Sequence, residues 1–165
     1  MKKLLIVYYS WSCGNTERTA KALQSVAGGD LVRLDTTVPY TGSYNDVVDQ
    51  GQHEVNAGFE PKLKPLPVNV ADYDVIAVGT PTWWYTMAPA VKAFLHGQNF
   101  SGKTVVPFMT NGGSPGRVIK NMKAACPGAD FACDMQVKFD SNGGDHLETP
   151  GSKINAWAQS VKALL

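Results

Sequence analysis

The sequence lacks a hydrophobic run long enough to cross a membrane. The apolar run near its start, from Leu4 to Tyr9, is too short for a signal-peptide core and is not followed by a small-residue cleavage site. No other segment approaches the roughly 18 apolar residues of a membrane span. We therefore expect neither a secretion signal nor a membrane partner.

The sequence also lacks an excess of charge of one sign and any familiar cysteine pattern. Fifteen lysines and arginines against fourteen aspartates and glutamates leave a net charge of +1, which favours small-molecule partners over nucleic acid. Cys13, Cys126 and Cys133 are an odd number without metal-ligand spacing, which is typical of free thiols in a reducing compartment. We expect a cytoplasmic protein without a metal site, and the sequence leaves homo-oligomer formation open.

The arrangement of apolar segments predicts a single α/β domain over residues 1–165. Five apolar runs of strand length alternate with amphipathic stretches of helical length, the pattern of a parallel sheet covered by helices on both faces. The runs are Lys3–Tyr9, Asp30–Asp35, Asp74–Gly79, Thr104–Thr110 and Phe131–Phe139. This pattern predicts a doubly wound five-stranded parallel sheet, for which we favour the strand order 2-1-3-4-5.

Glycine and proline mark the ends of the predicted helices. They delimit a helix that ends at Gly28-Gly29, one from Pro89 to Gly97, one from Ser114-Pro115 to Pro127-Gly128, and one that begins at Thr149-Pro150. Between Thr36 and Tyr73 only a short helix near 45–56 is predicted. A connection of this length is often functional, so we expect it to control access to a site.

The segment from Ser10 to Thr16 lies between the first strand and the first helix. It combines two serines, an asparagine, a threonine and the N-terminus of the helix, and this combination is typical of an anion site. The nearest cation is Arg18, and the lysine of a nucleotide-triphosphate loop is absent. The loop therefore favours a phosphate monoester held by Ser10, Ser12, Asn15 and Thr16. An ordinary helix cap is the alternative.

Two further strands end in segments that suit a planar ligand. The third predicted strand is followed by Pro81-Thr82-Trp83-Trp84-Tyr85, whose rings can stack on such a ligand, although we expect one of them to pack in the core. The fourth ends in Thr110-Asn111-Gly112-Gly113-Ser114, where paired glycines allow a close backbone approach. Parallel strands bring these loops to one edge of the sheet, where ligands of doubly wound folds bind.

These three loops together resemble those of the flavodoxin-like FMN proteins over the whole chain. Ser10, Ser12, Cys13, Gly14, Asn15 and Thr16 resemble the family's phosphate loop, with Cys13 as a departure. The paired tryptophans and the Gly-Gly-Ser loop are closer to a bacterial flavodoxin-like subgroup. The resemblance implies FMN, with its phosphate on the first loop and its isoalloxazine between the second and third. It leaves open which ring among Trp83, Trp84 and Tyr85 stacks on the flavin.

The resemblance implies one of two functions. The first is an oxidoreductase that uses a nicotinamide to reduce a quinone or similar acceptor, with the flavin carrying the chemistry and no catalytic side chain identified. The second is an electron carrier, but members of that class are strongly acidic and this chain is not. A low-molecular-weight phosphatase is a remote alternative, because only four residues separate Cys13 from Arg18 where that family has five. A receiver-type domain would need an acidic cluster after the first strand.

Overall fold

The computed structural model describes residues 1–165 and contains seven strands, five α-helices and one short 3-10 helix at Val70–Asp72. The strands are β1 (Leu4–Tyr8), β2 (Asp30–Arg33), β3 (Val75–Trp83), β4 (Thr86–Met87), β5 (Thr104–Asn111), β6 (Asp130–Phe131) and β7 (Met135–Lys138). The helices are α1 (Asn15–Ala27), α2 (Tyr44–Ala57), α3 (Pro89–His96), α4 (Val118–Ala124) and α5 (Gly151–Lys162). No helix is both long and apolar enough to cross a membrane.

The strand order confirms the predicted doubly wound sheet. The order is β2-β1-β3-β5-β6, with β7 also paired to β5, and all of these pairings are parallel. Here β5 is the fourth predicted strand, while β6 and β7 are the two parts of the fifth. The left-handed backbone of Cys133, at φ 54°, lies in the break between these parts. Our prediction of one continuous strand over Phe131–Phe139 was therefore wrong.

One helix prediction also needs correction, and another is confirmed. The helix expected at Ser114-Pro115 begins at Val118, because Gly116 has a φ of 55° and a left-handed residue cannot continue a right-handed helix. The short helix expected near 45–56 is confirmed as the 14-residue α2. It begins with a capping box in which Ser43 and Asp46 each bind the other's backbone N–H.

The sheet separates two hydrophobic layers and aligns the loops that follow its strands. One layer contains Leu5, Ile76 and Phe94, and the other contains Ile6, Phe108 and Trp157. In the register of the central strands, Tyr8 lies beside Gly79 and Gly79 lies beside Phe108. A Cβ on Gly79 would lie 2.3 Å from the ring of Phe108, so the sheet requires glycine there. This register brings the three loops to one edge.

Candidate functional site

A cleft of about 510 Å³ lies at this edge of the sheet. The first loop lines it, together with the carboxyl-terminal ends of β3 and β5 and the residues that follow them. Helix α2 and the loop after β7 complete the wall. The volume is in the range of small-molecule and cofactor sites.

The first loop turns sharply into α1 and leaves the start of the helix uncapped. Ser12 and Gly14 have φ values of 64° and 75°, and Gly14, at the N-cap position, supplies no side-chain acceptor. The Ser10 hydroxyl accepts only a long bond, 3.4 Å, from the backbone N–H of Glu17. The first N–H groups of a helix have no partner within it, so this end of α1 attracts an anion.

Asn15 and Thr16 connect the first loop to the other loops of the site. The Asn15 Nδ2 group donates to the Gly144 carbonyl at 3.0 Å, which leaves its Oδ1 atom buried without a partner. The hydroxyls of Thr16 and Thr110 lie 2.9 Å apart in a buried position. Since a buried acceptor without a partner is costly, Asn15 is prepared to accept a hydrogen bond from a ligand.

The second loop is a tight hairpin with two aromatic residues at its tip. Strand β3 continues past the sheet edge and pairs with β4 in antiparallel fashion, so Trp84 and Tyr85 form the two-residue turn. Both have left-handed backbone, with φ values of 51° and 65°. Hairpin turns of this kind favour Asn-Gly, and bulky residues there carry a conformational cost. Strain of this type is concentrated at functional sites.

The three aromatic residues of this loop have different environments. Trp83 packs against the core, with its ring 6.0 Å from that of Tyr9 and 5.0 Å from that of Tyr40, as expected for one of the three. Trp84 donates its indole N–H to the Val48 carbonyl of α2 at 2.8 Å. Tyr85 is 61% exposed, so its ring is free to stack on a ligand.

Burial also changes the acidity of the tyrosines beneath this loop. It raises the pKa of the Tyr9 phenol well above its usual value. Burial, and then the hydrogen bond to Glu54, raises the pKa of Tyr40 in the same way. Both phenols stay protonated at neutral pH. They support the loop as uncharged packing groups.

Internal hydrogen bonds fix the conformation of the third loop. The Asn111 Oδ1 atom accepts from the Gly113 N–H at 2.7 Å, and the Thr82 hydroxyl donates to the Thr110 carbonyl at 2.9 Å. A Cβ on Gly112 would lie 3.1 Å from the carbonyl oxygen of Asp140. Glycine therefore allows the third loop to pack closely on the loop after β7.

The structure brings most of the predicted site residues to this cleft. Those that line it are Ser12, Cys13, Asn15, Thr16, Pro81, Thr82, Trp83, Trp84, Tyr85, Thr110, Asn111, Gly112 and Ser114. Ser10, Gly14 and Gly113 are not among the lining residues. Ser10 instead contributes a buried hydroxyl, Gly14 occupies the N-cap position of α1, and Gly113 donates its N–H within a turn.

Sequence reasoning named no residue in two parts of the wall, although it expected the Thr36–Tyr73 segment, which contains α2, to control access to a site. One is α2, where Tyr44 stacks on Trp11 with ring centroids 6.0 Å apart and Gly51 lies against Trp83. The other is the loop after β7, from Phe139 to Gly144, whose Gly143 carbonyl accepts from the Cys13 thiol at 3.4 Å. The Gly143-Gly144 pair resembles Gly112-Gly113 in composition and is the signal that identifies this loop.

The lining of the cleft contains one charged side chain and no cation. Asp140 is that residue, and one of its carboxylate oxygens accepts from the Asn142 N–H at 2.7 Å. Arg18 donates instead to the Asp145 carbonyl and its guanidinium lies 5.9 Å from the Phe139 ring centroid. It lines a different cavity, away from Cys13, so the cysteine–arginine arrangement of a phosphatase is not formed.

Comparison with solved structures gives the same fold. The chain is 30% identical to a protein from Bacteroides eggerthii assigned as a flavoprotein, with 99% of each chain covered and a TM-score of 0.77. It is 21% identical to a flavoprotein from Lactobacillus acidophilus in complex with FMN, with 82% of this chain and 93% of that one covered and a TM-score of 0.69. The second likeness shows the fold alone.

Comparison of sequences identifies the family. An NAD(P)H dehydrogenase (quinone) 3 of Rhizobium meliloti is 35% identical over 100 residues, 58% of this chain and 43% of that protein. An NAD(P)H dehydrogenase (quinone) of Caulobacter vibrioides is 36% identical over 104 residues, 57% of this chain and 45% of that protein. Each match thus covers less than half of the relative. The flavodoxin family pattern, in contrast, matches residues 3–148, and the chain therefore belongs to the flavodoxin family.

Proposed function

We propose that the cleft binds FMN with its phosphate at the start of α1. The observation that carries this proposal is the uncapped N-terminus of α1 beside the buried, partnerless Oδ1 atom of Asn15. The helix end and the hydroxyls of Ser12 and Thr16 suit a phosphate held by neutral donors, since the lining contains no lysine or arginine. The Asn15 acceptor suits a hydroxyl of the sugar-alcohol chain of FMN.

The second and third loops are suited to hold the planar ring system of FMN. Tyr85 presents an exposed ring, and Thr110, Asn111, Gly112 and Ser114 line the same cleft. The N–H groups of the second loop would approach the N5 side of the ring, and that of Gly112 its pyrimidine edge, whereas the Gly113 N–H already donates to the Asn111 Oδ1 atom. The role of these residues is to position the ring and exclude water from part of it.

The activity that we propose is NAD(P)H-dependent reduction of a quinone or a similar small acceptor. When bound, FMN supplies the two-electron chemistry that such a reaction requires. The two quinone-reducing relatives support this assignment, as does the net charge of +1, which does not suit a carrier that docks through a strongly acidic surface. All three cysteines are free thiols, which agrees with a cytoplasmic location.

Two measurements, made one after the other, test this function. Titration of the apoprotein with FMN and with riboflavin should show FMN binding more than about tenfold tighter, because hydrogen bonds to a charged group contribute about 1.5–3 kcal/mol each. Equal affinities would refute the phosphate assignment. The FMN-loaded protein should then oxidise NADH or NADPH in the presence of a quinone. If it binds FMN but does not oxidise either, the electron-carrier alternative is favoured.

A further inference from the structure

A second cavity of about 540 Å³ lies on the other side of the Trp84-Tyr85 turn. It is formed between the end of α2, α3 and α4, and Trp84 and Tyr85 line it as well as the first cleft. A ligand in this cavity can therefore extend past the exposed ring of Tyr85 toward the first cleft. The proposed function makes no use of this cavity.

The second cavity differs from the first in its charge. Lys92, His96 and Arg117 line it, together with the single carboxylate of Glu54. That carboxylate accepts from Tyr40 at 2.5 Å and from Gln50 at 2.8 Å, and His96 lies 3.0 Å from a carboxylate oxygen of Glu60. Glu54 and His96 therefore have partners within the protein.

Lys92 and Arg117 have no such partners. Neither side chain takes part in a salt bridge or a side-chain hydrogen bond, so among the residues that line this cavity they are the cations without a protein partner. Lys92 is partly buried on α3, and Arg117 is exposed immediately before α4. Two unpaired cations at one cavity attract a ligand with two negative charges, and an arginine fork matches phosphate geometry.

We propose that Lys92 and Arg117 bind the diphosphate of a nicotinamide dinucleotide in this second cavity. The nicotinamide end would then extend along Tyr85 toward the first cleft. The volume lies within the range of cofactor sites, and the exposed ring of Phe59 offers a surface for a base. This inference rests on the proposed function, in which a nicotinamide is the electron donor.

Calorimetric titration of the FMN-loaded protein with NAD⁺ and NADP⁺ tests the site directly. Lys92→Gln and Arg117→Gln should each weaken binding of the preferred dinucleotide at least about tenfold, as expected for removing a hydrogen bond to a charged group. Inorganic pyrophosphate should compete with it. The matched control is Lys120→Gln, which removes the same charge from an exposed position on α4 outside the cavity and should leave the affinity unchanged.

Measurements of stability and of dinucleotide affinity distinguish a structural role of Lys92 from a role in binding. Its ammonium lies near Gly58, where α2 ends, so the lysine can also stabilise that helix end. A purely structural role would lower the free energy of unfolding without changing dinucleotide affinity, and this result would overturn the proposal for Lys92. The expected result is reduced dinucleotide affinity with an FMN dissociation constant within twofold of that of the unmodified protein.

The same variants distinguish failure of the site from failure of the activity. If both dinucleotides fail to bind, or if they bind equally to the Lys92→Gln/Arg117→Gln protein, the proposed site is wrong. If the double variant keeps the KM for NADH and NADPH while the quinone is still reduced, the site is wrong and the activity stands. If dinucleotide binding depends on both cations but no quinone is reduced, the site stands and the proposed activity fails.

Discussion

Substitution of the turn residue Tyr85 tests the site, because it should affect the stability of the apoprotein and the affinity for FMN differently. Its left-handed backbone costs about 1–2 kcal/mol relative to an ordinary conformation, and glycine removes this cost while adding about 0.5–1 kcal/mol of chain entropy. Little burial is lost, because the side chain is 61% exposed. We therefore expect Tyr85→Gly to change the free energy of unfolding of the apoprotein by between about zero and +1.5 kcal/mol.

The same substitution should weaken FMN binding. An aromatic ring stacked on another contributes about 0.5–1.5 kcal/mol beyond its burial, which corresponds to roughly a two- to tenfold loss of affinity. The backbone of the turn should remain in place, because the Tyr85 carbonyl accepts from the Arg117 N–H at 2.8 Å and the substitution does not alter that bond. Any loss of affinity can then be assigned to the ring.

Urea unfolding of the apoprotein and fluorescence titration with FMN provide the two measurements. Tyr85→Phe is the control, since it keeps both the ring and the strained backbone and should retain stability and affinity. The reasoning would be refuted if Tyr85→Gly lowered the free energy of unfolding by more than about 1 kcal/mol, the upper entropic cost of glycine. It would also be refuted if FMN affinity were unchanged, since the ring would then have no part in holding the cofactor.

Three other changes test different parts of the structure. Thr16→Val should weaken FMN binding by about 1–3 kcal/mol and destabilise the apoprotein, because the buried Thr110 hydroxyl loses its partner. Adding Thr110→Val should restore stability, since no hydroxyl is then left without a partner. FMN titration measures the first effect and urea unfolding the second. Cys13 is exposed in the cleft and should react with a thiol reagent in the apoprotein but be protected by FMN. Burial raises the pKa of Cys126 to about 11, so the unfolded thiol ionises first and the free energy of unfolding should fall as pH rises from about 9 to 11. Cys126→Ala should remove that part of the pH dependence.

The sheet and its order could be predicted because apolar runs and helix boundaries are local signals. Gly28-Gly29 and Pro89 mark helix boundaries through backbone preferences that no distant contact needs to supply. The break at Cys133 could not be predicted, since nothing in the local sequence indicates a left-handed residue there. The same is true of Trp84 and Tyr85, where the hairpin overrides the preferences of bulky side chains.

The candidate site shows the same division between local and distant signals. Each of the three predicted loops follows a strand, so parallel topology alone brings them together. The remaining walls depend on contacts between segments far apart in the chain, such as the bond from Trp84 to the Val48 carbonyl and that from Cys13 to the Gly143 carbonyl. The residues joined by such bonds lie far apart in the sequence, so no local sequence pattern predicts them.

The charge near the cofactor depends on the parts of the cleft that the sequence did not predict. The loops that sequence could place, Gly79–Met87 and Thr110–Pro115, contain no aspartate or glutamate and so bring no carboxylate to the cleft themselves. The loop after β7 adds Asp140, the one charged group of the lining. Since unit charges act over several ångströms at a protein surface, a wall residue that sequence reasoning missed can influence the charge state that the cleft favours. The electrostatics of this site are therefore set by its distant walls as well as by its three local loops.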